Sequence, residues 1–512
     1  MKYVRLFLVL IVLLAGILRF YDIQNVPPGL YIDEVSSAYN GYSVFKTGKD
    51  EHGVKYPLWF EAFGEYKMPA LVYATGLSTF LLGKSEFAVR LPSALLGTLT
   101  VLMLYFLLEK VLLLDRENFF KEPIYKYLPL LSAFLLAISP WHIQFSRGAF
   151  DAILALFFYV TGFMLFADYW EKNKFIYLLS SFLMFSLTLY TYNAYRITSI
   201  LTLLVLTILQ VWNFSNHKKH ILISGFIAIL LMIPVVQFSL TGAGVARFAQ
   251  TSAFVDLKNS FLMEKIVQYP SIYIKNYLSY FSPHFLFVFG DGIGRHQIPG
   301  WGVLYRWMWP FLLLGIYGLL KNSKSFLARL TGLLFLLAPL SAALTAPSPH
   351  SLRSLLMVIP VVISVAIGLL FLFNKFWKKR FILGIVMGVI IIFEFAFYLH
   401  YYYFHYTKVN ILDWGAGRKE IVEKEKKYEN NYSHIMIENE LGITYIYFLF
   451  YDAKKMPTPV DSDWRKPKEW QNEKVLFIRR SYEGKGISTK RIIDRATIPN
   501  QNNDVVAEFW EL

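Results

Sequence analysis

The chain has 512 residues, of which 55% are hydrophobic and only 17% are charged, whereas soluble proteins carry about a quarter charged residues. Apolar runs of membrane-spanning length recur as far as about residue 403, which excludes an ordinary soluble domain and indicates a polytopic membrane protein. The net charge of +15 comes with no nucleic-acid motif. Basic cytoplasmic loops explain it, so we expect no nucleic-acid partner.

Residues 1–20 combine a basic start, Lys2 and Arg5, with an apolar body and no small-residue cleavage site. This pattern is typical of a retained first helix, which we place at about residues 3–21. The two cations hold its start in the cytoplasm.

The stretch 31–45 follows and begins with the acidic pair Asp33 and Glu34. Its apolar residues recur at spacings of three and four, which predicts a helix with one apolar face. Asp33, Ser36 and Asn40 fall on the other side. We therefore expect a helix on the membrane surface, with a carboxylate at its start facing water or a cavity. The alternative is that Asp33 only caps the helix.

Residues 70–83 form an apolar run of about 14 residues, shorter than the roughly 20 needed to cross a membrane. We interpret it as an interfacial helix in a long external loop. The basic clusters then all lie in the cytoplasm, as the positive-inside bias requires. They are Arg116/Lys121/Lys126, Lys172/Lys174, Lys218/Lys219, Lys321/Lys324 and Lys375/Lys378/Lys379/Arg380.

This topology gives about eleven spans, ends near residue 403 and places the C-terminus outside the cytoplasmic membrane. From about residue 407 the chain becomes polar and charged. Residues 417–432 have the pattern of a helix, and 474–482 and 505–512 that of strands. The sequence thus predicts a membrane domain at 1–406 and a small extracytoplasmic α/β domain at 407–512.

Cysteine is absent, which excludes disulfides, thiolate metal sites and cysteine nucleophiles. The ten histidines contain no HExxH or similar ligand pair, so no metal site is predicted, although ligands from separated loops remain an open alternative. The glycines of 290–300 do not follow a strand, so they give little support to a phosphate loop. We expect no cofactor.

Cations are unexpectedly frequent on the predicted outer face, where Lys and Arg should be rare. Asp151 follows one of them by a helical turn, and His350 precedes another by three residues. Each cation alone is equally well explained as an interfacial residue or half of an ion pair. Together they favour a phosphate ligand, since guanidinium groups match phosphate oxygens. They are Lys67, Arg90, Arg147, Arg196 and Arg353.

Four motifs, taken in their order and spacing, resemble those of the protein O-mannosyltransferases and their bacterial relatives, which include the lipid A aminoarabinose transferases. Asp33-Glu34 resembles their acidic motif, and residues 67–69 (Lys-Met-Pro) their element opening an interfacial helix. Residues 82–97 resemble the entry to their second span, and residues 146–151 their second outer acidic site. The resemblance covers about residues 6–196.

The resemblance implies an all-α polytopic membrane domain of GT-C type, with interfacial helices in its external loops. It also implies an inverting sugar transfer from a polyprenyl or dolichyl phosphate. Asp33 would be the catalytic base, Lys67 and Arg90 ligands of the donor phosphate, and Asp151 an acceptor-side or supporting carboxylate. Met68 departs from the family, which often has proline there.

The sequence therefore predicts a membrane glycosyltransferase acting on a hydroxyl acceptor of protein, lipid or polysaccharide. Such a transfer needs one positioned carboxylate as base and cations beside the leaving phosphate. We expect Asp33, Glu34 and Asp151 to act in catalysis. The alternative is a transporter or flippase for a polyprenyl-linked sugar. Transporters tend to carry broken helices in both halves and ionisable groups near the midplane, whereas the polar groups here lie at the outer ends.

Overall fold

A computed structural model of the protein describes residues 2–115, 122–213, 218–254, 262–443, 445–461, 465–480, 491–498 and 504–512. Two of the predicted cytoplasmic cations, Arg116 and Lys121, lie outside the described residues. The last two positions of the predicted strand 474–482 also lie outside them.

The first four hundred residues are mostly helical, because a helix satisfies every backbone N–H and C=O within one segment, as the interior of a bilayer requires. The helices of this part are α1 (Lys2–Phe20), α2 (Ile32–Thr47), α3 (Pro69–Leu82), α4 (Glu86–Leu114), α5 (Leu128–Ile138), α6 (Pro140–Arg147), α7 (Asp151–Lys172), α8 (Phe175–Leu189), α9 (Asn193–Asn213), α10 (Lys218–Ser239), α11 (Gly242–Thr251), α12 (Leu262–Ser279), α13 (Met308–Lys321), α14 (Phe326–Leu337), α15 (Val358–Lys375) and α16 (Arg380–Tyr401).

Within the described residues, seven helical segments are long and apolar enough to cross a membrane, so the protein is a multi-pass membrane protein. An eighth span results if α5 and α6, which meet at a bend of 56°, form one broken span. Four shorter apolar helices include α3, where the sequence predicts an interfacial helix. The count of about eleven spans stays a prediction, since it requires that the other three shorter helices also cross.

The chain forms two units, and the first consists of Met1–Tyr21, Pro57–Leu71 and Arg90–Tyr403. Glycines allow α13 and α15 to pack at backbone distance. A Cβ at Gly315 would collide with the carbonyl of Ser364, and one at Gly368 with the carbonyl of Phe311. Such close packing through small residues is how membrane helices associate without a hydrophobic driving force between them.

A second long-range contact of this unit joins α4 to α14. The Asp115 carboxylate, just after α4, accepts hydrogen bonds from the N–H groups of Phe326 (2.6 Å) and Leu327 (2.7 Å) at the start of α14. A carboxylate there satisfies backbone donors that the helix itself leaves unpaired.

The second unit consists of Asp22–Tyr56, Val72–Val89 and Phe404–Leu512. It therefore groups 22–56 and 72–89 with the C-terminal residues, whereas the sequence analysis counts those segments with the membrane domain. Its further helices are α17 (Thr407–Val409), α18 (Arg418–Tyr428) and α19 (Tyr445–Phe450). Of these, α18 lies within the helix predicted at 417–432.

A five-stranded sheet occupies the C-terminal part of the second unit, in the order β4-β3-β5-β7-β6. Strand β3 pairs in parallel with β4 and β5, and β7 pairs antiparallel with β5 and β6. A cluster around Phe477 and Trp510 forms an apolar core there. Including a hairpin of the first unit, the strands are β1 (Phe60–Ala62), β2 (Glu65–Lys67), β3 (His434–Glu438), β4 (Thr458–Val460), β5 (Val475–Arg480), β6 (Arg491–Thr497) and β7 (Val505–Glu511).

Helix α2, which carries the acidic pair, meets the part of α3 that belongs to the same unit through two glycines. A Cβ at Gly41 would collide with the carbonyl of Val72 and with the backbone of Gly76. A Cβ at Gly76 would in turn collide with the backbone of Gly41. The two backbones therefore touch, and no larger residue fits at either position without moving a helix.

We expect Gly41→Ala to destabilise the protein by about 1–3 kcal/mol, because overpacking displaces α2 against α3. Thermal unfolding of the purified protein in detergent measures the change. Gly225→Ala is the matched control, since Gly225 also lies inside a helix but has no atom within 4 Å of the added Cβ. Equal melting temperatures for the two variants would contradict the close contact of α2 and α3.

Candidate functional site

The acidic pair lies at the start of α2 in the second unit. The helix begins at Ile32, so its N-cap is Tyr31, and the Tyr31 N–H donates to Glu34 Oε2 at 3.1 Å. Glu34 thus forms the capping interaction from the third helical position, as in a capping box. The alternative that Asp33 caps the helix is wrong. Asp33 occupies the second helical position, where the helix dipole favours a negative charge.

The polar side of α2 does not face water, contrary to the expectation from its periodicity. Ser36, Ser37 and Asn40 are buried, whereas Phe45 of the predicted apolar face is 39% exposed. The Asn40 side chain donates to Glu51 Oε1 (2.8 Å) and accepts from the Glu51 N–H (3.0 Å). The prediction failed because α19 also packs against α2, and periodicity within α2 cannot reveal a layer supplied by residues four hundred positions later.

Two side chains of the C-terminal segment join the environment of the acidic pair. The Tyr447 hydroxyl donates to the Leu30 carbonyl at 2.9 Å and accepts from Arg418 Nη1 at 2.6 Å. Burial raises the pKa of Tyr447 to about 12, with Arg418 opposing and the charges of Glu34 and Asp33 adding to the rise. Tyr447 is therefore within electrostatic reach of both carboxylates. The sequence analysis missed Arg418 and Tyr447, because no motif marks them.

The first unit contains a cavity of about 430 Å³ between α9, α10, α11 and the segment 341–353. Most of its wall is apolar, including Ile200, Val235 and Phe248. Two of the predicted phosphate ligands, Arg196 and Arg353, lie in this wall. The structure thus brings together two cations that are 157 positions apart in sequence.

Polar atoms in the cavity wall lack protein partners. Arg196 donates to Ser239 Oγ (3.0 Å) and to the Met68 sulfur (2.9 Å). Its Nε is buried and has no hydrogen-bond partner among the described residues, and the same holds for Asn193 Oδ1 and Ser341 Oγ. Each such buried group costs about 1–3 kcal/mol when it is unsatisfied, and all three belong to residues that line the cavity.

Arg353 is held at the cavity by its own loop. Its Nη1 donates to Thr345 Oγ1 at 2.8 Å and to the Ala346 carbonyl at 3.1 Å. A cavity with guanidinium groups in a mostly apolar wall suits an anion attached to a hydrocarbon chain, since pockets of this size are mostly apolar with few orienting polar groups. A planar guanidinium binds phosphate oxygens with two parallel hydrogen bonds.

Arg147 has a different role from the one predicted for the group of cations. It is fully buried and donates to the carbonyls of Leu18 and Tyr21, both at 2.8 Å. Its guanidinium also lies 5.4 Å and 5.3 Å from the ring centres of Tyr402 and Tyr403. Arg147 therefore satisfies carbonyls at the C-terminal end of α1, which the helix leaves without internal partners.

Lys67, Arg90 and Asp151 do not line the cavity. Lys67 ends β2, and its ammonium lies 5.6 Å from the Phe63 ring centre. The adjacent Met68 binds Arg196 through its sulfur, so the residue that departs from the family pattern connects this segment to α9. Arg90 is fully buried in α4, and Asp151 is the first residue of α7.

His350 also lies away from the cavity. It is buried beside His296 and Asp291, the only such group of three metal-ligand side chains found in the described ranges. The sequence predicts His350 among the substrate-binding residues. The structure places it instead with Asp291 and His296, for which the sequence gives no prediction.

Residues 67–238 match the family model described as dolichyl-phosphate-mannose-protein mannosyltransferase. No curated protein sequence matches the chain.

Solved structures share its fold at low sequence identity. ArnT from Cupriavidus metallidurans in the apo state is 11% identical with a TM-score of 0.55, covering 99% of this chain and 98% of that one. ArnT bound to undecaprenyl phosphate also gives 0.55, at 12% identity, with the same coverage. The oligosaccharyltransferase of Archaeoglobus fulgidus with a tethered acceptor peptide gives 0.51, at 13% identity over 89% of this chain. The chain spans about two thirds (63%) of the length of that enzyme.

The family-model match and the shared fold confirm the resemblance to the GT-C glycosyltransferases that use lipid-linked donors. The chain has their mostly helical, multi-span architecture. A small C-terminal sheet accompanies it.

Proposed function

We propose that the protein is a membrane glycosyltransferase that moves a sugar, with inversion, from a polyprenyl or dolichyl phosphate to a hydroxyl acceptor. The observation that carries the proposal is the apolar cavity containing Arg196 and Arg353. The match of residues 67–238 to the mannosyltransferase model supports it. The shared fold with ArnT, a protein solved with undecaprenyl phosphate bound, adds further support.

In this proposal the arginines of the cavity bind the phosphate and the apolar wall receives the first isoprene units of the lipid. As the sugar leaves, negative charge develops on the phosphate, and fixed cations stabilise that charge most where water is excluded. Lys67 and Arg90 are proposed as further ligands of the donor phosphate from their match to the family motifs alone, since neither lines the cavity. Arg147 is occupied by the end of α1 and is left out of this set.

Asp33 is proposed as the base. It takes the proton of the acceptor hydroxyl while that oxygen attacks the anomeric carbon, and the bond from this carbon to the phosphate oxygen breaks with its electrons going to the phosphate. One displacement of this kind inverts the anomeric centre. Glu34 holds the start of α2 through its bond to Tyr31, and Asp151 is proposed as an acceptor-side carboxylate.

We expect Asp33→Asn to reduce sugar transfer by roughly a hundredfold or more, which is the usual contribution of a positioned base. Folding and donor binding should persist, because Glu34 and Tyr31 form the cap of α2 without Asp33. Transfer is measured with a polyprenyl-phosphate sugar and a soluble acceptor, and donor binding in a parallel assay.

Asp22→Asn serves as the control, since Asp22 lies in the loop after α1 and its carboxylate accepts, within the described residues, a hydrogen bond from Asn25 alone. Near-normal transfer by the Asp33 variant would contradict its assignment as base. Donor binding by the unmodified protein without any transfer would instead favour the transporter alternative.

We expect Arg196→Ala and Arg353→Ala each to weaken binding of a sugar-free polyprenyl phosphate by roughly tenfold to a hundredfold. Hydrogen bonds to a charged group contribute about 1.5–3 kcal/mol each. Arg196→Lys should recover only part of the loss, since a point charge cannot reproduce the guanidinium fork. Equilibrium binding to the detergent-solubilised protein gives these values.

Arg306→Ala is the matched control, because Arg306 is an exposed arginine that lines a different cavity. Arg147→Ala should behave differently again and lower the melting temperature, as it leaves the carbonyls at the end of α1 unsatisfied. If both cavity variants bind the lipid as tightly as the unmodified protein, the cavity is not the donor site.

We also propose that transfer takes place on the outer face of the cytoplasmic membrane and that the C-terminal residues lie outside. The basic clusters support this orientation through the positive-inside bias. A reporter fused near Lys218 should be cytoplasmic, and one fused after Tyr403 should be external. Finding both reporters on one side of the membrane would refute the topology and, with it, the outer-face assignment.

A further inference from the structure

Asp291, His296 and His350 form a buried cluster that the proposed transfer does not use. Asp291 and His296 belong to the glycine-rich segment 290–300, and His350 to the segment between α14 and α15. Each residue offers one ligand atom, and the three atoms lie within 4.8 Å of one another. The side chains of Asp291 and His296 are 0% and 4% exposed, and His350 is 8% exposed.

Asp291 is held firmly in place. Its Oδ2 accepts from His296 Nδ1 at 2.7 Å, from the Ser351 N–H at 2.8 Å and from Ser351 Oγ at 2.7 Å. Its Oδ1 accepts from the Ile293 N–H at 3.0 Å. Burial by itself would raise the pKa of Asp291, but the hydrogen bonds and charge of His296 and the Ser351 N–H outweigh it and lower the pKa below its ordinary value. These contacts fix the orientation of the carboxylate, as outer-shell partners of a metal ligand do.

The two imidazoles face each other across a short distance. The ring centres of His296 and His350 are 4.7 Å apart, at an angle of 61°. In tetrahedral zinc sites the ligand atoms lie about 3.3 Å apart, as bond lengths of about 2.0–2.2 Å imply. The atoms of this cluster lie within 4.8 Å of one another, so side-chain rotations that shorten the longest of these separations would give the spacing of a zinc site.

We propose that Asp291, His296 and His350 bind a divalent transition-metal ion, with Zn²⁺ as the principal candidate. Two imidazole nitrogens and one carboxylate oxygen are a ligand set that zinc and neighbouring metals prefer, whereas Mg²⁺ and Ca²⁺ take mainly oxygen ligands. The groups around Asp291 act as outer-shell partners of the kind that orient metal ligands. If the ion binds His296 through Nδ1, it takes the place of the proton that Nδ1 donates to Asp291. A neutral imidazole then carries its one proton on Nε2, and an imidazolium releases one proton to solvent.

A metal at this position would tie two separate segments of the first unit together. His350 and Ser351 precede Arg353 by only three and two residues, and Arg353 lines the 430 Å³ cavity. The ion would therefore fix the loop that presents Arg353. Metal binding itself is independent of the proposed transfer, whereas this effect on Arg353 rests on the proposed function.

The test uses the full-length, tag-free protein in detergent after treatment with a chelator, and Zn²⁺ alone as the probe. We expect one Zn²⁺ per chain by elemental analysis and a higher melting temperature with the ion. Co²⁺ should give the visible absorption spectrum of a site with nitrogen and oxygen ligands. No donor lipid is present, so this result is independent of whether the protein transfers sugar.

Variants then assign the site. His296→Ala and His350→Ala should each lose at least tenfold in Zn²⁺ affinity, and Ser351→Ala should lose roughly tenfold to a hundredfold as an outer-shell change. His284→Ala is the control, because His284 is an exposed histidine that precedes the same segment and lies outside the cluster. It should bind Zn²⁺ like the unmodified protein.

Less than stoichiometric Zn²⁺ in the unmodified protein would overturn the proposal and leave the cluster as a hydrogen-bonded Asp–His pair. Equal affinity in the His350→Ala variant would overturn it as well. Should a variant fail to fold, the stoichiometry and the Co²⁺ spectrum of the unmodified protein decide the question by themselves. With metal binding established, polyprenyl-phosphate affinity with and without the ion measures the effect on Arg353.

Discussion

A guanidinium group buried in an apolar protein needs hydrogen-bond acceptors for its N–H groups, and this requirement links several helices of the first unit. Arg19 and Arg147 are both fully buried. Arg19 donates to the carbonyls of Ala15, Leu136 and Ala137 and to His142, which joins α1 to α5 and α6. Arg147 satisfies carbonyls at the end of α1. These two cations are used by the fold, because removing either would leave carbonyls or imidazole without a donor in low dielectric.

The hydrogen-bond acceptors of Arg196 differ from those of Arg19 and Arg147. Arg196 donates to a hydroxyl and to a thioether, a weak acceptor, and not to main-chain carbonyls. Its Nε has no partner among the described residues, but the same is true of Arg19 Nε, so the difference lies in the acceptors. Asn193 and Ser341 leave further polar atoms open at the same cavity. Several residues of the cavity wall therefore carry polar atoms whose hydrogen bonds the described residues do not provide. Met68 belongs to this pattern as well, since proline at that position would offer Arg196 no sulfur.

Part of the fold and of the candidate site could be predicted from the sequence. Apolar run lengths predict the membrane spans, and the spacing in 31–45 predicts α2, because both signals are local. The excess of predicted outer arginines includes Arg196 and Arg353, which line one cavity, and their role as phosphate ligands stays a prediction. This pattern could not distinguish Arg196 and Arg353 from Arg147, because the partners of Arg147, Leu18 and Tyr403, lie more than a hundred positions away in the sequence. The contacts of Tyr447 with Leu30 and of Asp291 with Ser351 span 417 and 60 positions, and no periodicity or motif encodes them.

The electrostatics of the cavity also restrict the ligand it suits. Arg196 is partly buried and forms no ion pair among the described residues, and a cation withdrawn from water without a counter-charge is costly. A neutral polyprenol would fill the apolar wall but leave that cost in place, whereas a phosphate offsets the charge of Arg196. An inorganic phosphate would offset the charge of Arg196 but leave the apolar wall formed by α9, α10 and α11 without an apolar partner. Only a molecule that joins an anion to a hydrocarbon chain uses both parts of the cavity, and a lipid phosphate is such a molecule.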